Sequence, residues 1–557
     1  MKQAIRWPAS PPLMLPLWLL AAVASVFALG GLGNFAILDN NEGLYAAIAR
    51  EMLSSNDWRA WVIPHLNGLP YMEKPPLLYW LTAISFALFG YVEWAARLAP
   101  ALSSLACVAL LCWFGRRTGH EREGRLAALI FATGVGVLAM SRVLMFDMLL
   151  TALLTAALFN AWLFLKAGRR ASLRWAYAAL ALAVLTKGLV ALVLFSLALL
   201  GALLVVRQAG FWRSLWTMLD PVALLIFAAL VLPWHVAASS VEPIFAWFYF
   251  YNEHVLRFLG KREPYDYYGG PWWYYLPRMV IYLFPWCFLL LLRFAAPAGP
   301  PAEPALRRFL LLAWLLPLLF FSVSGAKANY YLVTVMPFAA FHLALMVCQR
   351  DWQHSRVRML PPIMIVIACT LLAAVAMTRT LPQGIVIQGL DAKTFLVLMF
   401  GGAGLLAGAL AVLAWTRSAW SLVANGLLSL WFAAALGLLL WAMEPTLSSR
   451  ALAQNLQQEH AGRPVYIYHD FERKSSLAFY LAQPIHVVES VSADLFWGNR
   501  LRINDIMVSA AQFTAAASRT PLVLVVTDEY HAQFLAWDVT RRMRLVNRIG
   551  NVRVYVN

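Results

Sequence analysis

Along most of the chain, apolar positions neither recur with the period of an amphipathic helix nor alternate as on a half-buried strand. They run on without interruption. Residues 180–185, 189–206 and 395–415 are almost unbroken Leu, Ala, Val and Phe. About 20 apolar residues cross the hydrocarbon core as a helix, and in lipid only helices or closed barrels satisfy their own backbone. Continuous Leu/Ala-rich runs are not the alternating strands of a barrel. The pattern predicts spans at 13–29, 94–114, 126–141, 144–165, 175–186, 189–206, 221–238, 279–292, 309–323, 331–348, 359–377, 395–416 and 421–443, about 13 helices by the length rule. The first run is read as a retained span rather than a signal peptide, because of its length and the lack of a convincing cleavage region before Asn34.

Beyond residue 443 the pattern changes. Short β-branched segments at 463–468, 484–488, 522–526 and 552–556 alternate with helical stretches at 448–458, 475–481 and 510–518. That alternation predicts a small α/β domain over 444–557 following a membrane domain over 1–443. It holds no catalytic motif and is expected to cap the outer face, with substrate contact the lesser alternative.

Composition agrees with the membrane reading. The chain has 557 residues, 62% hydrophobic and 13% charged, against about 45–50% and about 25% in soluble domains. The net charge of +17 would suggest nucleic acid in a soluble protein. Here the basic residues sit in short loops between spans: Arg116, Arg117, Arg122 and Arg125; Lys166, Arg169, Arg170 and Arg174; Arg207 and Arg213; Arg293, Arg307 and Arg308; Arg350, Arg356 and Arg358. That is the positive-inside pattern of cytoplasmic loops, and no nucleic-acid partner is expected. The bias also decides one ambiguous segment. Were the short apolar stretch 77–89 a span, every later basic loop would fall on the wrong side. It is therefore expected to lie at the interface within a first outer loop over 31–93, and the odd span number puts the C-terminal domain outside as well. All five cysteines fall in apolar runs, so neither a disulfide framework nor zinc-type spacing is present.

Ionisable residues near the membrane mark function by default, and here they collect on the outer side. The first outer loop carries Asp39-Asn40-Asn41-Glu42 ahead of an expected amphipathic helix, then Tyr71-Met72-Glu73-Lys74-Pro75-Pro76. Helix capping is the plain account of the first group and a surface ion pair that of the second. Asp147 lies near the outer start of a span, with Arg142 as a possible partner. Lys187 stands between two spans against the positive-inside bias. A later outer loop is rich in aromatics, most of them expected in an interfacial belt, but it also holds Glu253, His254 and Arg257. Lys327 and Tyr330 follow in 324–331. Lysines and arginines converging at the interface suit a phosphate carried on a lipid; carboxylates suit a sugar or the proton of an acceptor hydroxyl. No Gly-rich nucleotide loop is present.

In order and spacing these residues resemble the bacterial branch of the protein O-mannosyltransferase superfamily, the GT-C glycosyltransferases, and within it the transferases that add aminoarabinose to lipid A. The resemblance is carried by 41–45 with 49–52, Asp57-Trp58, Ile63-Pro64-His65, 71–75, Asp147, Thr186-Lys187-Gly188, Glu253-His254 with Arg257-Phe258, and 322–331. It implies a GT-C fold in the bacterial inner membrane, acting as a monomer. The reaction it implies is inverting transfer of a sugar, 4-amino-4-deoxy-L-arabinose by resemblance, from undecaprenyl phosphate to an envelope glycolipid such as lipid A. It would place Lys74, Lys187, Arg257 and Lys327, with Tyr71 and Tyr330, around the donor phosphate and lipid, and make Glu73 and His254 ligands of a possible divalent metal. Asp147, Asp39, Asn41 and Glu42 form the expected catalytic set. One position departs from the family: Asn41 stands where an Asp is usual, and an amide is no general base. Either Asp39 or Asp147 takes that role, or no base is needed because a phosphate acceptor is already anionic. Two other classes fit less well. A flippase for lipid-linked sugars would place polar residues near the midplane in repeated halves, and an O-antigen ligase or polymerase would lack the early Glu73-Lys74-Pro75 set.

Overall fold

The computed structural model describes residues 16–205, 210–265, 269–291, 303–349, 355–378, 386–387, 390–416 and 419–557. Among these, eight helices are long and apolar enough to cross a membrane: Leu98–Arg117, Phe146–Ala167, Pro221–Val241, Pro304–Val323, Asn329–Cys348, Pro361–Thr378, Ala392–Val412 and Asn425–Ala442. Glu121–Thr133 and Val135–Ser141 add a ninth if counted as one span bent by 66°. Extended backbone at Gly134 makes the break. The chain is a polytopic helical membrane protein.

Its helices are apolar on both faces. Inward, Phe114 stacks on Phe159 at 3.9 Å and Trp162 on Phe309 at 4.5 Å. Outward, Leu225, Leu405 and Val412 are each at least two-thirds exposed. A helix hydrophobic all round belongs in lipid, where outward leucines carry no penalty.

At one end of the bundle sit the non-spanning elements of the first long loop: helix Asn41–Ser54, the hairpin His65–Leu66/Leu69–Pro70, and helix Leu77–Phe89. The first differs from expectation. It is no amphipathic surface helix, because residues 42–49 and Met52 are all buried. Nor does its N-cap, Asn40, make a side-chain cap bond. Instead Glu42 turns back to accept the Leu38 N–H at 2.8 Å. Leu77–Phe89 packs against this helix through Leu78, Tyr79, Thr82, Ala83 and Phe86, and leaves Leu81, Ile84, Leu88 and Phe89 exposed.

Residues 465–556 form a six-stranded sheet in the order 507–508, 486–488, 465–468, 523–527, 552–556, 544–549. The first four strands are parallel and the last two antiparallel. Helix Arg450–Glu459 precedes the first strand, and helices Ser476–Leu481 and Ala510–Ala517 lie between later ones. Arg544–Ile549, unforeseen in the sequence, is an edge strand with two arginines and no buried side chain, so it lacks the apolar signal of a central strand. The parallel strands Val465–Tyr468 and Val523–Thr527 are wholly buried. Their carboxyl ends face the long-loop elements. Asn40 N–H donates to Glu472 O at 2.9 Å and Asp39 N–H to Leu447 O at 2.7 Å. One apolar core runs from Leu20 through the bundle to Val556.

Candidate active site

Between the bundle and the carboxyl ends of the sheet lies a cavity of about 450 Å³. Its lining brings together Asn41, Tyr45, Tyr71, Glu73, Lys74, Asp147, Lys187, Glu253, His254, Arg257, Arg262, Tyr330 and Asp494. The non-polar remainder of the wall includes Leu150, Val190, Val193, Leu194, Phe258, Phe320 and Phe321, a greasy flank beside a charged floor.

Glu253 organises the charges. It sits in a wide-turned helix, Trp247–Leu256, and is buried. Lys74 Nζ donates to its Oε1 at 2.7 Å and Arg262 Nε to its Oε2 at 2.7 Å, while Arg257, one turn on, also donates to Oε1. Burial raises the Glu253 carboxyl, but Arg257, Lys74 and Arg262 outweigh it and hold it well below the usual carboxylate range. Glu73 is the second anchor: Arg262 donates to its Oε1, and Lys74 Nζ is 3.6 Å from its Oε2. Three cations are thus fixed by two carboxylates, which leaves one positive charge for a ligand. Such a cluster is an oriented anion site, since side chains locked by partners cost no reorganisation when charge develops.

A second pair closes another part of the wall. Lys187 Nζ donates to Asp147 Oδ1 at 2.6 Å and lies 4.5 Å from the Tyr331 ring centre and 5.2 Å from that of Tyr330. Asp147 begins helix Phe146–Ala167 and Lys187 ends helix Arg170–Lys187. The expected partner Arg142 is elsewhere, donating to Phe27 O at 2.8 Å and 3.1 Å.

Gly188 shapes the same corner. Its φ is 82°, and a Cβ there would meet His254 Nε2 at 2.5 Å and the Tyr249 hydroxyl at 2.6 Å. Both constraints demand glycine. They let His254 reach across the break between two helices, where Leu189 N–H donates to its Nε2 at 3.0 Å and its Nδ1 meets Tyr249 O at 2.5 Å. Burial lowers the His254 pKa, so the ring is neutral, with the proton on Nδ1.

Four expectations need correction. Asp39 does not reach the cavity. It is buried among Ser449 Oγ, Ser476 N–H and Oγ, and Lys474 Nζ, at 2.7–3.2 Å for the nearest oxygens. Glu42 is likewise outside, taken by Arg97 Nε and Nη2 at 2.8 Å and 2.9 Å and by the N–H groups of Leu38 and Leu144. Both carboxylates join segments of the fold, and of the expected catalytic set Asn41 and Asp147 remain at the cavity. Lys327 is buried beside the cavity, not in its lining, and donates to Ser324 O at 2.5 Å. The metal pair is also absent as drawn: both His254 nitrogens are occupied and Glu73 is engaged by Arg262. Among the described residues no three His, Cys, Asp or Glu side chains gather as a metal set.

Two lining residues were not singled out in the sequence. Arg262 lies in a loop after the aromatic segment, and only the folded chain brings it to Glu73, 189 residues away. Asp494 comes from the sheet domain, in the loop after strand His486–Val488. Tyr71 hydroxyl is 3.3 Å from its Oδ1 and 3.3 Å from Glu73 Oε2.

Comparison with known proteins points one way. The family model described as dolichyl-phosphate-mannose-protein mannosyltransferase matches residues 73–235. The undecaprenyl phosphate-alpha-4-amino-4-deoxy-L-arabinose arabinosyl transferase of Pseudomonas aeruginosa (strain UCBPP-PA14) is 33% identical over 401 residues, 70% of either chain. The corresponding transferase 2 of Pseudomonas fluorescens is 33% identical over 343 residues, 60% of this chain and 58% of that one. Transferase 1 of Sodalis glossinidius is 36% identical over 311 residues, 55% and 54%. The chain spans little more than half the length of these last two relatives. In three dimensions, the structure of ArnT from Cupriavidus metallidurans bound to undecaprenyl phosphate superposes with a TM-score of 0.80 over 97% of both chains, at 24% identity. The fold described above is therefore shared with that protein along nearly its whole length.

Proposed function

The chain belongs to the family of undecaprenyl phosphate-alpha-4-amino-4-deoxy-L-arabinose arabinosyl transferases, and on that premise we propose that it moves 4-amino-4-deoxy-L-arabinose from undecaprenyl phosphate to an envelope glycolipid such as lipid A. The observation that carries this reading is the cluster of Lys74, Arg257 and Arg262 held by Glu253 and Glu73 beside an apolar flank. A phosphate joined to a long prenyl chain needs both features side by side.

In this reaction an acceptor oxygen forms a bond to the anomeric carbon as the bond from that carbon to the donor phosphate breaks, with inversion. The electron pair departs with undecaprenyl phosphate, and the positive cluster stabilises the growing charge. A lipid A phosphate is already an anionic nucleophile, so no proton need be removed, which accords with Asn41 at a position where the family usually has Asp. For a hydroxyl acceptor, Asp147 is the carboxylate of the expected set that lines the cavity. Its ion pair with Lys187 must then open or shift.

On this reading the site lies on the periplasmic side of the inner membrane, beneath the sheet domain, where no nucleotide sugar exists and a lipid-linked donor is required. The basic loops fall on the other side if Leu17–Leu29, Arg170–Lys187, Val190–Val205 and residues 275–291 span with the eight long helices and the bent pair, while Leu77–Phe89 lies at the interface. That arrangement has 13 spans.

The test is reconstitution of the purified protein in liposomes with the undecaprenyl-phosphate amino sugar and lipid A, read by mass spectrometry. The expected product is lipid A carrying one additional aminoarabinosyl group. Lipid movement between leaflets without glycosylated product would overturn the reading in favour of a flippase.

A further inference from the structure

The cavity holds a carboxyl group with no ion pair among the described residues, and this inference about it rests on the donor reading above. Glu73 is paired with Arg262, Glu253 with Lys74, Arg257 and Arg262, and Asp147 with Lys187. Among the described residues, Asp494 is the lining carboxyl group that has no ion pair. Its one side-chain hydrogen bond is to Tyr71, whose hydroxyl stands at 3.3 Å from both Asp494 and Glu73. A hydroxyl has a single proton and cannot donate to both. The nearby Glu472 gives no relief, since Ser492 and the Asp494 N–H already occupy its Oε1. Burial first, then the negative charges of Glu73 and Glu472, push the Asp494 carboxyl well above its ordinary range. Arg262 and Lys74 act against that rise.

Its place in the fold makes it a ligand position. Asp494 follows the parallel strand His486–Val488, and open α/β sheets meet ligands at the carboxyl ends of their strands. Tyr71 links it to Glu73, whose Oε2 lies 3.6 Å from Lys74 Nζ, so a sugar whose phosphate rests at Lys74 can reach Asp494 with its ring.

We propose that Asp494 receives the ammonium group of the donor's amino sugar, so that the sheet domain selects an amino sugar over a neutral one. The phosphate and the amine are then read by opposite charges in one cavity. The neutral sugar of the same shape brings no cation to Asp494 and forgoes that ion pair, so the discrimination rests on charge rather than on size.

The test compares two donors on undecaprenyl phosphate, the 4-amino pentose and its 4-hydroxy counterpart, with wild type and Asp494→Asn. The variant is expected to lose about ten- to a hundredfold in kcat/KM with the amino donor, the range for a hydrogen bond to a charged group. With the hydroxy donor, which brings no ammonium group to the residue, the loss is expected to be much smaller, so the ratio of kcat/KM between the two donors falls. Binding of undecaprenyl phosphate alone, with no sugar, is expected to match wild type and reports that the cavity is folded. Equal losses with both donors, weakened binding of the bare lipid phosphate, or no loss with either would overturn the proposal. Absence of amino-sugar transfer by the wild type is a different outcome: it overturns the donor reading itself, before any variant is compared.

Discussion

At the scale of single residues, the cavity distinguishes cations that face a ligand from cations that hold the fold. Lys74 lines the cavity and Lys327 does not, although both are lysines expected at the donor phosphate. Lys74→Ala is expected to lower transfer about a hundred- to a thousandfold, the usual cost of removing one oriented donor from developing charge. Lys327→Met is expected to leave binding of undecaprenyl phosphate as in wild type. Titration of both variants with the lipid phosphate checks the contrast. Gly188→Ala is expected to destabilise by about 1–3 kcal/mol from its backbone alone, and further because its methyl displaces His254; a thermal unfolding midpoint in detergent measures it. Asp147 and Lys187 were legible in the sequence because a charge in an apolar stretch is costly and must be explained, and Lys74 because it stands just before the apolar stretch 77–89. Arg262 and Asp494 were not, because each sits in an ordinary polar loop. Only long-range folding makes them neighbours of Glu73 and Tyr71, and in the case of Asp494 the contact crosses 423 residues of chain.

At the scale of elements, helix Asn41–Ser54 is the joint of the molecule. Gly43 lets it touch the sheet domain, since a Cβ there would meet Ser476 N at 2.4 Å and Ser475 Oγ at 2.5 Å. Glu51, on the same helix, accepts the N–H groups of Asn67 and Gly68 at 2.6 Å and 3.0 Å, and Asn67 in turn exchanges two hydrogen bonds with Ile485. Burial pushes the Glu51 carboxyl up to about 7. A raised carboxyl binds its proton more tightly folded than unfolded, so its contribution to stability is largest at low pH. That contribution declines as pH rises from the unfolded value of about 4.3 to about 7, and is level above. Amide exchange at Asn67 and Gly68 is expected to quicken over that window beyond the intrinsic rise with pH, and Glu51→Gln to remove the excess. The helix was foreseen but its surroundings were not. Its glycine, alanines and acidic start read equally well as a capped surface helix, and only the mass of protein packed on it decides otherwise.

At the scale of the whole molecule, apolar run length made the bundle legible, and strand composition revealed the sheet. What joins them was hidden, because it is a buried polar seam. Asp39 binds Lys474, Ser449 and Ser476, with burial raising its carboxyl and Lys474 acting against that. Removing the carboxylate strands Lys474 in the interior, a loss of about 3–5 kcal/mol. Asp39→Ala is therefore expected to loosen the sheet domain from the bundle, seen as faster protease cleavage between 444 and 475 with the spans still intact. The cavity takes its floor from the bundle and its Asp494 from the loop after the third-last parallel strand, so its wall is assembled from distant stretches of one polypeptide. During synthesis the bundle residues enter the membrane first, and Asp494 leaves the ribosome only after them. A nascent or prematurely stopped chain therefore carries the cationic floor with no facing carboxyl. The order of translation itself keeps an unfinished copy from having a finished chamber.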